Sequence, residues 1–234
     1  EKYEAGDKVL VAVSGGADSL ALAYALAVEA KKLAITVIGV TVDHQLQSES
    51  ANQADKVVGQ LKDFEIECIV KKVNVDITEG LEASARKARY QAIEEVLQQE
   101  NAVAVFLGHT KDDQAETVLL GLARGSGARS LSGMAVENNI FVRPLLKITR
   151  AQTVAACVES GIEVWIDPHN SDERFARVKV RQNLLPIFEE KLGPGVTEAL
   201  ARTADLLRDD ADALDDFANQ FFAQVDPASI EIAD

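Results

Sequence analysis

Four short apolar runs, each followed by a stretch of helical composition, constrain this chain more than any other feature. The runs are VLVAV (9–13), ITVIGVTVD (35–43), IECIVKKVNV (66–75) and AVAVFLG (102–108). The helical stretches are SLALAYALAVEAKK (19–32), residues 48–63, LEASARKARYQAIEEVLQQE (81–100) and residues 112–124. Short runs rich in β-branched residues read as buried strands. Strands alternating with helices mean βαβ units, and so a parallel sheet covered on both faces. Right-handed crossovers then give an α/β fold with a doubly wound, mainly parallel sheet. The alternation stops near residue 130. FVRPLLKI (141–148) is extended, because the residue before a proline avoids the α region. Residues 149–160 read as a helix, DPHNSDERFA (167–176) as a loop. From 180 the chain reads as helices broken by the turn LGPG (192–195). The expected division is a domain over 1–185 followed by a small C-terminal helical domain over 186–234.

Composition narrows the class. Among 234 residues, 47 % are hydrophobic and 26 % charged, which suits a globular core. No apolar run approaches the roughly 18 residues of a membrane span, so no membrane partner is expected. The first residues lack the basic-then-apolar layout of a signal peptide. Cys68 and Cys157 form no C-x-x-C pair and no zinc spacing, and read as buried thiols of a cytoplasmic protein. The net charge of −14 argues against a simple nucleic-acid coat. Its distribution says more. Residues 189–234 hold 12 acids against 3 bases, whereas residues 121–150 hold five bases against Glu137 alone. An acidic total can hide a basic face.

The stretch VLVAVSGGADSLALAYAL is the most specific chemical signal. A strand leads into Ser14, Gly15, Gly16, Ala17, Asp18 and Ser19, and a helix follows. In an open parallel sheet, ligands sit at the carboxyl ends of strands. A helix start there offers free N–H groups and partial positive charge to an anion. The two glycines let backbone approach a phosphate closely, and the two serines add hydroxyl donors. Neither a Walker ending nor G-x-G-x-x-G is present. Asp18 would repel a bare phosphate, and makes sense with Mg²⁺ bound between them.

LGHTKDDQAETVLL (107–120) gathers His109, Asp112, Asp113 and Glu116 at another strand end. Such acids can hold a metal, move protons, grip an amine or cap a helix. Asp113 and Glu116 are i, i+3 neighbours, and Asp112 and Glu116 are i, i+4, so either pair shares a helix face.

SGGADS resembles the loop of the PP-loop ATP pyrophosphatases, whose fold is adenine-nucleotide α-hydrolase-like. VDHQLQSES (42–50), LEASARKARYQAI (81–93), GHTKDDQAET (108–117), RPLL (143–146) and DPHNSDERFARVKVRQNLLP (167–186) follow in order. Together they resemble the tRNA(Ile)-lysidine synthetases. The resemblance implies ATP and Mg²⁺ as cofactors and two further substrates, free L-lysine and an isoleucine tRNA with a CAU anticodon. It implies adenylation of the wobble cytidine, then attack by the lysine ε-amine to give lysidine. Ser14–Ser19 are then the ATP loop and Asp18 the magnesium ligand. Asp18, His109 and Asp113 are the catalytic candidates. Two carboxylates suit a lysine dication, so Asp113 and Glu116 are assigned to lysine, while Asp112 keeps a capping role. Arg86, Arg124, Arg177, Lys179 and Arg181 are the tRNA candidates. Where this family often carries Asn and Arg, the chain has Val178 and Lys179, which removes a bidentate fork. A homodimer is allowed. The rivals are a tRNA thiolase, an NAD-synthetase-like amide ligase and a nucleotide-binding regulatory module.

Overall fold

The computed structural model describes residues 2–43, 45, 50–73, 81–165 and 172–224. His44 and His169 lie outside them, as do residues 46–49 and 166–171. The chain forms two compact units. The first is Glu1–Asp113 with Ala135–Val178; the second is Gln114–Met134 with Lys179–Asp234. The second unit therefore takes in an internal segment as well as the C-terminal helices.

The first unit is built on strands β1 (Lys8–Ala12), β2 (Thr36–Asp43), β3 (Glu67–Lys72), β4 (Ala104–Leu107), β5 (Glu137–Asn138) and β6 (Phe141–Val142). Their order in the sheet is β3-β2-β1-β4-β6-β5, parallel throughout except for the β5–β6 pair. Helices α1 (Ala17–Leu33), α2 (Ser50–Asp63), α3 (Leu81–Glu100) and α6 (Arg150–Glu159) cover it. The period of two along β1 decides which face each residue meets. Val9 and Val11 pack with α1, α2 and Cys157 of α6, while Leu10 packs with Ile93 and Val96 of α3. That is the doubly wound, mainly parallel sheet expected from the alternation of runs.

Strand order also places the site. The chain runs from β1 outward through β2 and β3, then returns to pair β4 on the other side of β1. The carboxyl ends of β1 and β4 thus flank the switch point, where such sheets leave a crevice. Gly108 follows β4 there. A Cβ on it would stand 2.9 Å from the backbone oxygen of Asp18, so only glycine lets the chain after β4 come this close to the first turn of α1.

Helix α4 (Lys111–Ala123) starts in the first unit and continues into the second. The second unit also holds α5 (Ala128–Leu131), the π-helical turn Val180–Leu184, α8 (Leu185–Leu192) and α9 (Val196–Gln224). The short helix α7 (Ala176–Lys179) precedes that turn. Ala115, Val180 and Leu185 form this unit's small core. The LGPG turn separates α8 from α9, as its glycines and proline predict. Among the described residues, no helix is long and apolar enough to cross a membrane.

Candidate active site

Residues 13–16 turn the chain sharply between β1 and α1. Gly15 takes φ +87°, the left-handed region that glycine enters without steric cost. The loop is tied from inside. Ser19 Oγ donates to Gly16 O at 2.9 Å and accepts from Ser14 N at 3.2 Å. Ser14 Oγ and Ser19 Oγ stand 3.3 Å apart. Both hydroxyls therefore shape the loop as well as line it. Gly16 is the N-cap of α1 and supplies no side-chain cap, which leaves the first helical N–H groups open toward an anion. A Cβ on Gly15 would collide with the amide of Gln53 on α2, whose buried Nε2 has no partner. That amide is a further donor at the loop.

Asp18 lies in the first turn of α1 and faces α6. Thr153 donates its hydroxyl to Oδ1, and Arg150 donates Nε to Oδ2 at 3.3 Å. The same guanidinium reaches Asp113 Oδ1 at 2.9 Å. One arginine thus bridges two carboxylates from different strand ends. Burial raises the Asp18 pKa above its ordinary value. Thr153 and Arg150 oppose that rise, and the Asp113 charge adds to it.

The acids of α4 divide their work. Asp113 Oδ2 accepts from Thr110 N at 2.8 Å and Thr110 Oγ1 at 3.0 Å, so Asp113 closes the helix start from the N3 position. Asp112 does not cap α4. Its Oδ2 accepts from Arg150 N at 2.8 Å, at the start of α6, which also carries a Thr149–Gln152 capping box. The capping role expected of Asp112 on its own helix belongs to Asp113, because the N3 side chain points back along the helix. In the second unit, Glu116 has no exposed side-chain surface and is gripped at both oxygens by Arg181, at 2.7 and 3.1 Å. Arg181 stands on the π-helical turn, a distortion often found at functional sites.

His109 is largely enclosed, with part of the residue still reaching solvent, and its buried Nδ1 has no partner. Burial pushes its pKa down to about 3; Asp113 opposes this, and Arg143, Arg86 and Arg89 reinforce it. The imidazole is therefore neutral at working pH. Among the described residues, no three His, Cys, Asp or Glu side chains gather as a metal cage.

The tRNA candidates fall into both units. Arg86 and Arg177 belong to the first, with Arg86 exposed and Arg177 half-buried. Arg124, Lys179 and Arg181 belong to the second; the first two are exposed, and Arg181 is engaged with Glu116.

A PP-loop domain family profile matches residues 2–188. A tRNA(Ile)-lysidine synthase of Thermobifida fusca (strain YX) is 53 % identical over 222 residues, covering 94 % of this chain and 68 % of that protein. The chain belongs to the tRNA(Ile)-lysidine synthase family. The synthase of Streptomyces coelicolor is 52 % identical over 94 % of the chain and 64 % of its own length. That of Leifsonia xyli subsp. xyli is 46 % identical over 97 % and 70 %. The chain therefore spans about two thirds of the length of these relatives. A solved structure of the U34-tRNA thiolase NcsA from Methanococcus maripaludis superposes with a TM-score of 0.73 at 19 % identity. It covers 88 % of this chain and 73 % of the thiolase, and that likeness is one of fold.

In this family member, three residues near the loop carry no signal in the sequence. Arg150 reads there only as one charge in a basic stretch. Nothing local sets Thr153 or Gln53 apart. All three act through tertiary contacts, and no motif announces them.

Proposed function

We propose that the chain ligates L-lysine to C2 of the wobble cytidine of an isoleucine tRNA with a CAU anticodon, using ATP. The observation that carries this is the 46–53 % identity to tRNA(Ile)-lysidine synthases over nearly the whole chain. The C2 carbonyl oxygen attacks the α-phosphorus of ATP, and the bond to pyrophosphate breaks. The ε-amine of lysine then attacks C2, and AMP leaves with the former carbonyl oxygen.

Each residue role follows from chemistry the geometry permits. Ser14–Ser19, with Gln53 beside Gly15, would cradle the phosphates through backbone and amide N–H groups. Asp18 fits a magnesium ligand as a hard carboxylate donor beside the phosphate loop, and Arg150, which now pairs with it, would have to yield to the metal. When bound, Mg²⁺ offsets charge on the departing pyrophosphate. Asp113 and Glu116 remain the residues proposed for lysine. Each now pairs with a guanidinium, Asp113 with Arg150 and Glu116 with Arg181, so the lysine ammonium would have to share or displace that partner. His109 is neutral and able to accept a proton, but its depressed pKa makes it a weak base toward an ammonium. A phosphate drawn into the neighbouring arginines would raise that pKa. The reaction is assigned to the cytoplasm, and a homodimer is compatible with it.

The test is direct. The protein is incubated with ATP, Mg²⁺, radiolabelled lysine and the CAU isoleucine tRNA. ATP-dependent incorporation of label into RNA is expected. ATP cleavage that needs no RNA, with no lysine joined to it, would exclude this reading. A thiolase would show sulfur incorporation instead, and the chain carries no C-x-x-C pair for such chemistry.

A further inference from the structure

An open groove of about 590 Å³ runs between α3 and the β5–β6 hairpin of the first unit. Arg86, Lys87 and Arg143 line it, with Tyr90 and Phe141 as its apolar part and Glu94 as its one acid. Arg89 stands behind Tyr90, its guanidinium 5.8 Å from the ring centre. Arg86 lies over the same ring at 4.9 Å and donates to the Tyr90 hydroxyl at 3.1 Å. Tyr90 is held in turn by Phe141, ring to ring at 5.0 Å. The aromatic pair therefore fixes the direction of a cation that would otherwise sample many rotamers.

Arg143 is the more telling residue. It is only 7 % exposed, its Nη1 donates to Ala135 O at 3.1 Å, and its buried Nε has no partner. Among the described residues, no carboxylate pairs with Arg86, Arg89 or Arg143. A buried guanidinium with an open N–H is costly unless an acceptor arrives. Several such cations repel one another until an anion enters. Planar, forked donors of this kind match phosphate oxygens. The groove's cations lie within electrostatic reach of His109, on which Arg143, Arg86 and Arg89 all act.

We propose that Arg86, Lys87 and Arg143, backed by Arg89, form a second phosphate site, separate from the Ser14–Ser19 loop, that binds a phosphodiester of the RNA strand beside the reacting cytidine. The inference rests on the tRNA function proposed for this chain. Single-stranded loop RNA splays its bases and leaves its phosphates accessible, which suits a short groove of three cations.

The experiment uses the double variant Arg86→Gln/Lys87→Gln, whose side chains are exposed, so the fold should persist. Binding of an anticodon stem-loop RNA with a CAU loop is measured across salt concentrations. The variant should bind about tenfold more weakly, with the salt slope reduced by about 0.7 for each phosphate no longer neutralised. ATP and pyrophosphate affinities, read through the fluorescence of Trp165, should not change. An unaltered salt slope overturns the proposal. So does weakened pyrophosphate binding with an unaltered slope, which would assign the groove to the nucleotide phosphates. Lysine incorporation by the unmodified protein separates the two readings. Incorporation with no change in slope defeats only the groove, and a changed slope without incorporation defeats only the proposed reaction.

Discussion

Arg181 closes on Glu116 with both arms of its guanidinium, and no surface of that carboxylate side chain meets solvent. A buried pair of this kind is costly to break from one side only, because the survivor keeps its charge and loses its partner. Arg181→Ala should therefore destabilise the protein by about 3–5 kcal/mol in urea unfolding. Glu116→Gln, which keeps the shape, should cost less and raise the lysine concentration needed for ligation. If Glu116→Gln leaves the lysine dependence untouched, the carboxylate is structural and lysine binds elsewhere.

Arg150 bridges Asp18 and Asp113, and Arg150→Ala would leave two carboxylates facing each other without a cation between them. ATP–pyrophosphate exchange in the presence of tRNA should fall by about a hundredfold, as expected for misplacing a group at the reacting centre. Asp18→Asn should lose exchange as well. Exchange at the unmodified rate in Arg150→Ala would show that the bridge plays no part in positioning Asp18.

Two glycines at the loop have different reasons to resist alanine. Gly15→Ala places a side chain at φ +87°, a strain of about 1–3 kcal/mol. Gly108→Ala pushes a Cβ against the Asp18 backbone oxygen at 2.9 Å. Both should weaken ATP binding, followed by fluorescence of Trp165, the one tryptophan in the chain, whose backbone N–H donates to Gly15 O at 3.0 Å. Gly59 lies inside α2 with open space where its Cβ would go. Gly59→Ala should instead stabilise the protein by about 0.5–1 kcal/mol and leave ATP binding unchanged. Equal ATP affinity in all three variants would mean that neither glycine shapes the nucleotide loop.

His109 links stability to pH. Its pKa falls from an ordinary 6.5 to about 3 in the folded chain, chiefly through burial. Between those values the unfolded chain takes up a proton that the folded chain refuses. The contribution is therefore complete above about pH 6.5 and is lost as pH falls toward 3. The Asp113 charge opposes the shift, while Arg143, Arg86 and Arg89 strengthen it. Asp18 acts with the opposite sign. Its raised pKa makes the folded chain hold the extra proton, so stability falls as pH rises above 3.8 through that window. His109→Gln should move the midpoint of acid unfolding to lower pH, monitored by circular dichroism. A midpoint that stays in place would mean the ring is not shielded in the folded protein.

The sheet and the phosphate loop were legible in the sequence because both are written locally. Alternating apolar runs specify strands and helices through side-chain period alone. SGGADS specifies a tight turn because two glycines and a helix start can do little else in that setting. The LGPG break between α8 and α9 is local in the same way. Tertiary structure decided the rest. Strand order brought Gly108 against Asp18, and pairing at such a distance leaves no mark in periodicity. Arg150 finds Asp18 across 132 positions and Asp113 across 37. Charge count could register that arginine and could not say which carboxylates it would join. The same holds for GHTKDDQAET. Its spacing put several acids on one helix start, but only packing made Asp113 the cap, turned Asp112 toward α6 and sealed Glu116 under Arg181. Local sequence determines which groups exist and how the backbone presents them. Burial and long-range partners determine their charge, and with it their chemistry.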